Sequence, residues 1–402
     1  MSKHLTIGLF GFGTVGEGIY QVLQQSDWAT VKKICVKQAD KPRNAPAELF
    51  TTHAESLIFD PEIDVIVELI DDADAAFGIA LAAYAQGKAV ITANKKALAE
   101  HFEDYLSAAR AANLPLLYEA AVAGSIPIIR NLEEYFDNEW LRGVVGIVNG
   151  STNYILSRIE DGQSAEASLR EAQAKGYAES DPSLDVDGWD AANKLAILLH
   201  HTYGLSRHPS ELVRQGIGRI SAEDAAFAAS RGLRIRLLAR AEQVDAGIHA
   251  LVWPHFVAPS SPLYHVREAM NGILLGSTFS EQQFLYGKGA GRFPTASAVL
   301  SDLSALRYGY QYALKKRSNP AELAEDAVVQ LWIRSTKPEL LRELPIERAY
   351  EHYQRSGYAF TIADVPVAEL QSNPVLQHPD VASVVWPGEQ AQNLNFLPHA
   401  AA

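Results

Sequence analysis

The stretch DVDGWDAANKLAILLH (185–200) places Asp190 and Lys194 four positions apart in a run otherwise dominated by alanine, leucine and isoleucine. Desolvating either charge costs several kcal/mol unless it is paired or put to use. One reading is an exposed i,i+4 ion pair, worth ~0.3–0.5 kcal/mol. The other is chemical: Lys194 shares a helix face with Ala191, Ile197 and Leu198, and an ammonium desolvated by such neighbours gives up its proton more readily. It can then exchange that proton with an alcohol or carbonyl oxygen, as reversible hydride transfer requires. Glu179, Asp181, Asp185 and Asp187 lie just upstream. They fit no register of a calcium-binding EF-hand loop. His200 and His201 are adjacent, so they point to different helix faces and cannot chelate one ion; a partnership with the helix C-terminal dipole is expected.

A second constellation is Gly11-Phe12-Gly13-Thr14-Val15-Gly16, a GxGxxG turn that follows an apolar strand and opens a helix. Glycines there permit a tight turn and let a pyrophosphate approach backbone N–H groups at the positive helix end, so a dinucleotide is expected. The acid that holds an adenosine ribose 2′-hydroxyl normally lies about 20 residues further on. Here the chain reads Val36-Lys37-Gln38, with Lys41 and Arg43 beyond. Cations suit a 2′-phosphate, so NADP(H) is preferred, with NAD(H) as the lesser cofactor; the alternative is that these are solvated surface lysines.

These residues need elements to position them. Apolar runs at 5–10, 31–37, 63–69, 89–92 and 115–120 alternate with helical patterns at 17–25, 74–86 and 97–112, the rhythm of a doubly wound, Rossmann-type parallel α/β sheet. That domain is expected over 1–127, completed by a helix over 295–316. Residues 128–294 read as an α+β substrate and dimerisation domain, with strands at 142–150, 212–220 and 249–257 and helices near 151–160 and 165–175. A polar linker from 318 opens a small C-terminal α+β module over 322–390, with a helix over IERAYEHYQ (346–354) between strands, and 391–402 reads as a disordered tail.

With 402 residues, 48% hydrophobic and 21% charged, the chain is long enough for two or three cores. The net charge of −13 argues against nucleic acid or an anionic membrane as partner and favours a small molecule. The single Cys35 excludes an internal disulfide framework or a CxxC metal site and suits the cytoplasm. No signal peptide is legible, and no apolar run reaches the ~18 residues of a membrane span.

Six separated motifs, GFGTVG, TANKKAL (92–98), YEAAVAGSIPIIR (118–130), NGSTNYIL (149–156), GYAESDPSLDVDGWDAANKLAIL (176–198) and GAGRFPTASAVLSDL (289–303), together resemble homoserine dehydrogenase over residues 5–316. The resemblance implies NAD(P)H-dependent interconversion of L-aspartate 4-semialdehyde and L-homoserine, on the route to threonine, methionine and isoleucine, by a homodimer or homotetramer. It makes Lys194 the proton donor and acceptor, with Asp190 orienting it and the substrate, and puts Lys95 beside the nicotinamide. Glu179 and Asp185 would hold the substrate's amino end, Gly176 would face cofactor and substrate, and the loop around Gly291 would close over the cofactor. Glu119, Val122, Gly124 and Ile126 match a loop that holds a structural sodium ion, mostly through carbonyl oxygens.

Three features depart from that pattern. Asp71-Asp72 stand where a glycine pair is usual, Ser125 replaces a second glycine, and residues 322–390 lack the turn of a threonine-sensing ACT domain, which implies a degenerate ACT-like fold serving assembly. Because the first strand begins at residue 5, no N-terminal kinase region is expected. Aspartate-semialdehyde dehydrogenase also begins with a GxGxxG turn but needs a cysteine nucleophile, and Cys35 lies in a strand of the cofactor domain. A non-catalytic NAD(P)-sensing regulator is the other alternative, and it leaves Lys194 without a purpose.

Overall fold

The computed structural model describes residues 4–138, 140–318, 320–324 and 327–387; the expected tail over 391–402 lies outside them. The chain divides into two compact units, one running to Asp137 and resuming over Gly287–Lys315, the other spanning Asn138–Tyr286 and continuing from Lys316.

In the first unit the apolar runs form strands β1 (Leu5–Phe10), β2 (Ala29–Cys35), β3 (Phe50–Thr51), β4 (Val65–Glu68), β5 (Ala89–Thr92) and β6 (Leu116–Leu117). They make one sheet in the order β3-β2-β1-β4-β5-β6, with neighbouring strands paired in parallel. This is the doubly wound order, with a topological switch between β1 and β4. β1 and β4 are apolar almost without break because helices cover both faces. These helices are α1 (Thr14–Leu23), α2 (Ala73–Ala85), α3 (Lys95–Ala112) and, from the returning segment, α7 (Arg292–Leu306). Asp72 and Asn94 cap α2 and α3 by accepting from Ala75 N and Ala97 N, at 2.9 Å each. Gly18 lets α1 and α7 approach closely, since a Cβ there would lie 2.7 Å from Arg292 O.

The second unit carries β7 (Leu141–Ile147), α4 (Gly150–Glu160), α5 (Trp189–Tyr203), β8 (Val213–Arg214), α6 (Ala222–Ser230), β9 (Arg234–Val244), β10 (Gly247–Val257), β11 (Met270–Ser277), β12 (Glu281–Lys288), β13 (Val328–Ser335), β14 (Arg348–Arg355), β15 (Tyr358–Pro366) and β16 (Val381–Val385). They join in a mixed sheet ordered β12-β11-β7-β9-β10-β16-β13-β15-β14, with β8 beside β10. α5 is buried along almost its whole length, so the run of alanine and leucine around Lys194 is a core face. No helix of the described residues is long and apolar enough to cross a membrane.

Several expectations from periodicity need correction. The helix expected over 346–354 is instead edge strand β14, joined to β15 by the two-residue turn Ser356-Gly357 (Gly357 φ +70°). Pairing with β15, including Tyr353 stacked on Phe360 at 5.6 Å, overrides a helical-looking pattern on an exposed edge. The strands within residues 322–390, expected as a module of their own, join the same sheet as β10 because β16 pairs with both β10 and β13. The helix carried to 316 stops at Leu306, where the chain turns through Gly309 (φ +74°). Of the strand expected over 212–220 only Val213–Arg214 pairs, while β9, β11, β12 and helix α6 were not foreseen.

Candidate active site

In the first unit, Gly11 N donates to Cys35 O at 3.0 Å, and Gly11 has φ +90°. A side chain there would be doubly unfavourable, since its Cβ would also lie 2.7 Å from Leu69 O. Gly16 faces back across the turn, and a Cβ there would stand 2.4 Å from Gly11 O. A Cβ on Gly13 would meet nothing within 4 Å. The outer two glycines therefore close the turn, and the middle one leaves open space before the N-terminus of α1, where a pyrophosphate fits. Thr14 and Val15 begin the helix, and the Phe12 ring lies 5.1 Å from that of Phe50. Lys37 is exposed just past the end of β2, and Arg43 lies 5.0 Å over the Phe50 ring. Gly291 (φ +119°) precedes α7.

Lys95 is half-buried at the start of α3, next to the capping Asn94. Asn94 Nδ2 donates to Ile70 O at 3.0 Å, tying the turn after β5 to the turn after β4. Beneath them the buried Glu68 accepts from Ile70 N and Thr92 Oγ1, each at 2.6 Å. Burial pushes its carboxyl up to about 7. The departure at Asp71-Asp72 is thus partly structural: Asp72 caps α2, whereas Asp71 is simply exposed.

The Glu119 loop places a buried carboxylate on Ile129 N and Arg130 N, 2.9 Å each, while Glu119 N donates to Asp302 Oδ2 at 2.9 Å. Asp302 is fully buried, and among the described residues its Oδ1 meets no hydrogen-bond partner. Burial pushes Glu119 up to about 7 and drives Asp302 well above the usual carboxylate range. Val122 and Ile126 are buried, and the chain reverses through Ala123 (φ +56°) and Gly124 (φ +53°). Ser125 ties this loop to the returning segment, its N and Oγ each donating to Lys288 O at 3.1 Å. Glu119 and Asp302 are thus two buried acids of the unit that contains the Ala123-Gly124 reversal. No group of three or more His, Cys, Asp or Glu side chains able to hold a metal occurs among the described residues.

In the second unit, Gly188 (φ +81°) starts α5 and Asn149 caps α4. Lys194 and Asp190 are only 7% and 6% exposed, so the surface-pair reading fails. Lys194 Nζ donates to Asp190 Oδ2 at 2.7 Å and to Val148 O at 2.6 Å. Asn149 Nδ2 donates to the same Asp190 Oδ2 at 2.8 Å and to Asp185 Oδ1 at 2.6 Å. Burial first, and then the Asp190 charge, push the Asp185 carboxyl up. Asn149 and Val148 carried no assigned role in the sequence; their part depends on chain segments meeting across the fold. Glu179 is exposed, with its carbonyl accepting from Gln173 Nε2 at 2.9 Å, and Gly176 (φ +73°) lies in the same exposed turn. His200 and His201 lie in the last turn of α5, and both are buried; His200 lies 3.1 Å from Ser206 Oγ, and burial pushes its pKa down to about 2, so it meets the helix dipole uncharged rather than as a cation.

Residues 11–119 match the family model described as the NAD binding domain of homoserine dehydrogenase, and residues 127–304 match the homoserine dehydrogenase model itself. The chain belongs to the homoserine dehydrogenase family. It is 40% identical to the homoserine dehydrogenase of Synechocystis sp. over 311 residues, covering 74% of this chain and 72% of the relative. It is 37% identical to that of Helicobacter pylori over 340 residues, covering 80% of each. The crystal structure of a homoserine dehydrogenase from Thiobacillus denitrificans superposes with a TM-score of 0.84 at 29% identity, over 96% of this chain and 99% of that one. Among homoserine dehydrogenases, the open Gly13 and the buried Lys194 thus fall in the two segments that the family models cover.

Proposed function

We propose that the protein reduces L-aspartate 4-semialdehyde reversibly to L-homoserine, with Lys194 as the proton donor. The buried Lys194–Asp190 pair, anchored on Val148 O, is the observation that carries this reading. The nicotinamide, when bound, supplies the hydride that converts the aldehyde carbon to an alkoxide. Lys194 gives its proton to that oxygen and is reprotonated from solvent, so the alcohol is complete and the ammonium is restored. Asp190 holds the lysine nitrogen in place, Asp185 and Glu179 receive the substrate's ammonium, Gly176 borders the bound substrate and cofactor, and Lys95 stands by the reacting carbon. In the reverse direction the neutral lysine takes the hydroxyl proton.

The Gly11–Gly16 turn takes the pyrophosphate, with Phe12, Thr14 and Val15 in its wall and Gly291 closing over the cofactor. Lys37 favours NADP(H) over NAD(H) by meeting the 2′-phosphate. A sodium ion is held by the loop of Glu119, Val122, Gly124 and Ile126, where the buried acids stabilise it. The enzyme works as a homodimer or homotetramer in the cytoplasm. Purified protein should consume NADPH with aspartate semialdehyde, and faster than NADH. Lys194→Ala should lose at least ~10²-fold in kcat while still binding cofactor; full activity in that variant would remove Lys194 from the reaction.

A further inference from the structure

The β7–α4 junction holds more of the acid cluster than a helix cap requires. Asn149 is 6% exposed, and each polar atom of its amide is engaged. Oδ1 accepts from Thr152 N at 2.8 Å and Thr152 Oγ1 at 2.9 Å. Nδ2 donates to Asp185 Oδ1 and Asp190 Oδ2. The amide has only this orientation available, since Thr152 N–H needs an acceptor and the carboxylates need donors. An N-cap needs only an oxygen, which serine supplies equally well. What asparagine adds is an NH2 group that bridges two like charges from either side of the Gly188 turn.

We propose that Asn149 is a positioning residue of the reaction: its amide holds Asp185 and Asp190 together, and fixes Asp190 Oδ2 as the shared acceptor of Asn149 and Lys194. The charged groups facing this amide are Asp185 from the segment before α5, and Asp190 and Lys194 from α5 itself; Ser151 also supplies a hydrogen bond to Asp185. Without the bridging donor, two carboxylates share one site with a single cation, and each proton is held more tightly. The ionised acids that receive the substrate and orient the lysine then form only at higher pH. The inference rests on the roles proposed for Lys194 and the acids.

The test is the pH dependence of kcat/KM for aspartate semialdehyde, measured with melting temperature for the wild type, Asn149→Ser and Asn149→Asp. Serine keeps the cap but loses the bridge. Aspartate keeps cap and size but adds a third carboxylate. The serine variant should lose roughly 10-fold at acid pH, about the effect of one charge-assisted hydrogen bond. It should recover at alkaline pH, with its acid limb moved up by roughly one unit and its melting temperature near that of the wild type. The aspartate variant should move the limb further in the same direction. An unmoved limb in both variants, or a loss uniform across pH that follows a falling melting temperature, would overturn the inference. Failure of both variants to fold would also overturn it, by making Asn149 a residue of the fold alone. A wild type that does not oxidise NADPH with this substrate would sink the parent reading instead, before any variant is compared.

Discussion

The Gly11–Gly16 turn and the Asp185–Lys194 cluster are built by opposite means. At the first, the site is made by what is missing: Gly11 and Gly16 have no room for a Cβ, and Gly13 leaves space where one would go. At the second, the site is made by side chains forced together, with Lys194, Asp190, Asn149 and Asp185 linked by hydrogen bonds of 2.6–2.8 Å. A backbone site tolerates little change in shape but is indifferent to charge. A side-chain site of this kind tolerates little change in charge, because each member depends on the ionisation of the next.

The largest effect expected from this contrast is at Asp190. Asp190→Asn leaves size and shape intact but removes the carboxylate from a buried ammonium, and breaking a buried pair in this way costs ~3–5 kcal/mol unless the lysine discharges. Urea unfolding should show this loss, and turnover should fall by at least ~10²-fold. A variant with wild-type stability and rate would mean that the pair is not the acid–base centre. The converse at the glycine turn is Gly16→Ala, which changes no charge. Its Cβ would have to displace Gly11 O from 2.4 Å, so overpacking of ~1–3 kcal/mol is expected. Isothermal titration should show NADPH binding falling with stability, while the pH profile of any remaining activity stays as in the wild type.

How far each site could be read from the chain follows from the same contrast. The glycine turn is six consecutive residues, and Asp190 with Lys194 is one helical turn, so both are local patterns. Asn149 reaches carboxylates 36 and 41 positions away, and no periodicity records such a meeting. Asp185 stands out in the sequence only as one of a run of acids, and its substrate role comes from family resemblance, for the same reason. The parallel sheet was legible because strands buried on both faces are apolar throughout. β14 was not, because an exposed edge strand has little apolar alternation, and its tyrosines at 350 and 353 mimic a helical face. The Ser356-Gly357 turn was the available signal for a hairpin.

Gly13→Ala is the milder probe. With φ −84° and nothing near the added methyl, the fold should keep its stability within ~0.5 kcal/mol. Only the approach of the pyrophosphate is obstructed, so the Kd for NADPH should rise by roughly 10-fold, ~1.4 kcal/mol. Loss of stability with unchanged affinity would reverse the assignment of Gly13 and Gly16.

The smallest effect tests whether the contrast divides the molecule cleanly, since the Glu119 loop belongs to the first unit yet depends on buried carboxyls. Glu119 has its pKa pushed up to about 7 by burial. An acid whose folded pKa is raised keeps its proton in the folded state and releases it on unfolding between the two values. Its contribution is therefore present below about 4.5 and is lost as pH rises towards about 7. The sodium ion proposed for this loop would offset that loss by favouring the charged form. Above neutral pH, replacing choline by sodium at constant ionic strength should raise stability by ~1 kcal/mol at a few multiples of the Kd. The difference should vanish at acid pH, where the carboxyls are protonated, and be reduced in Glu119→Gln. Equal melting temperatures in sodium and choline across the whole range would remove the ion and leave the loop a protonated, hydrogen-bonded turn.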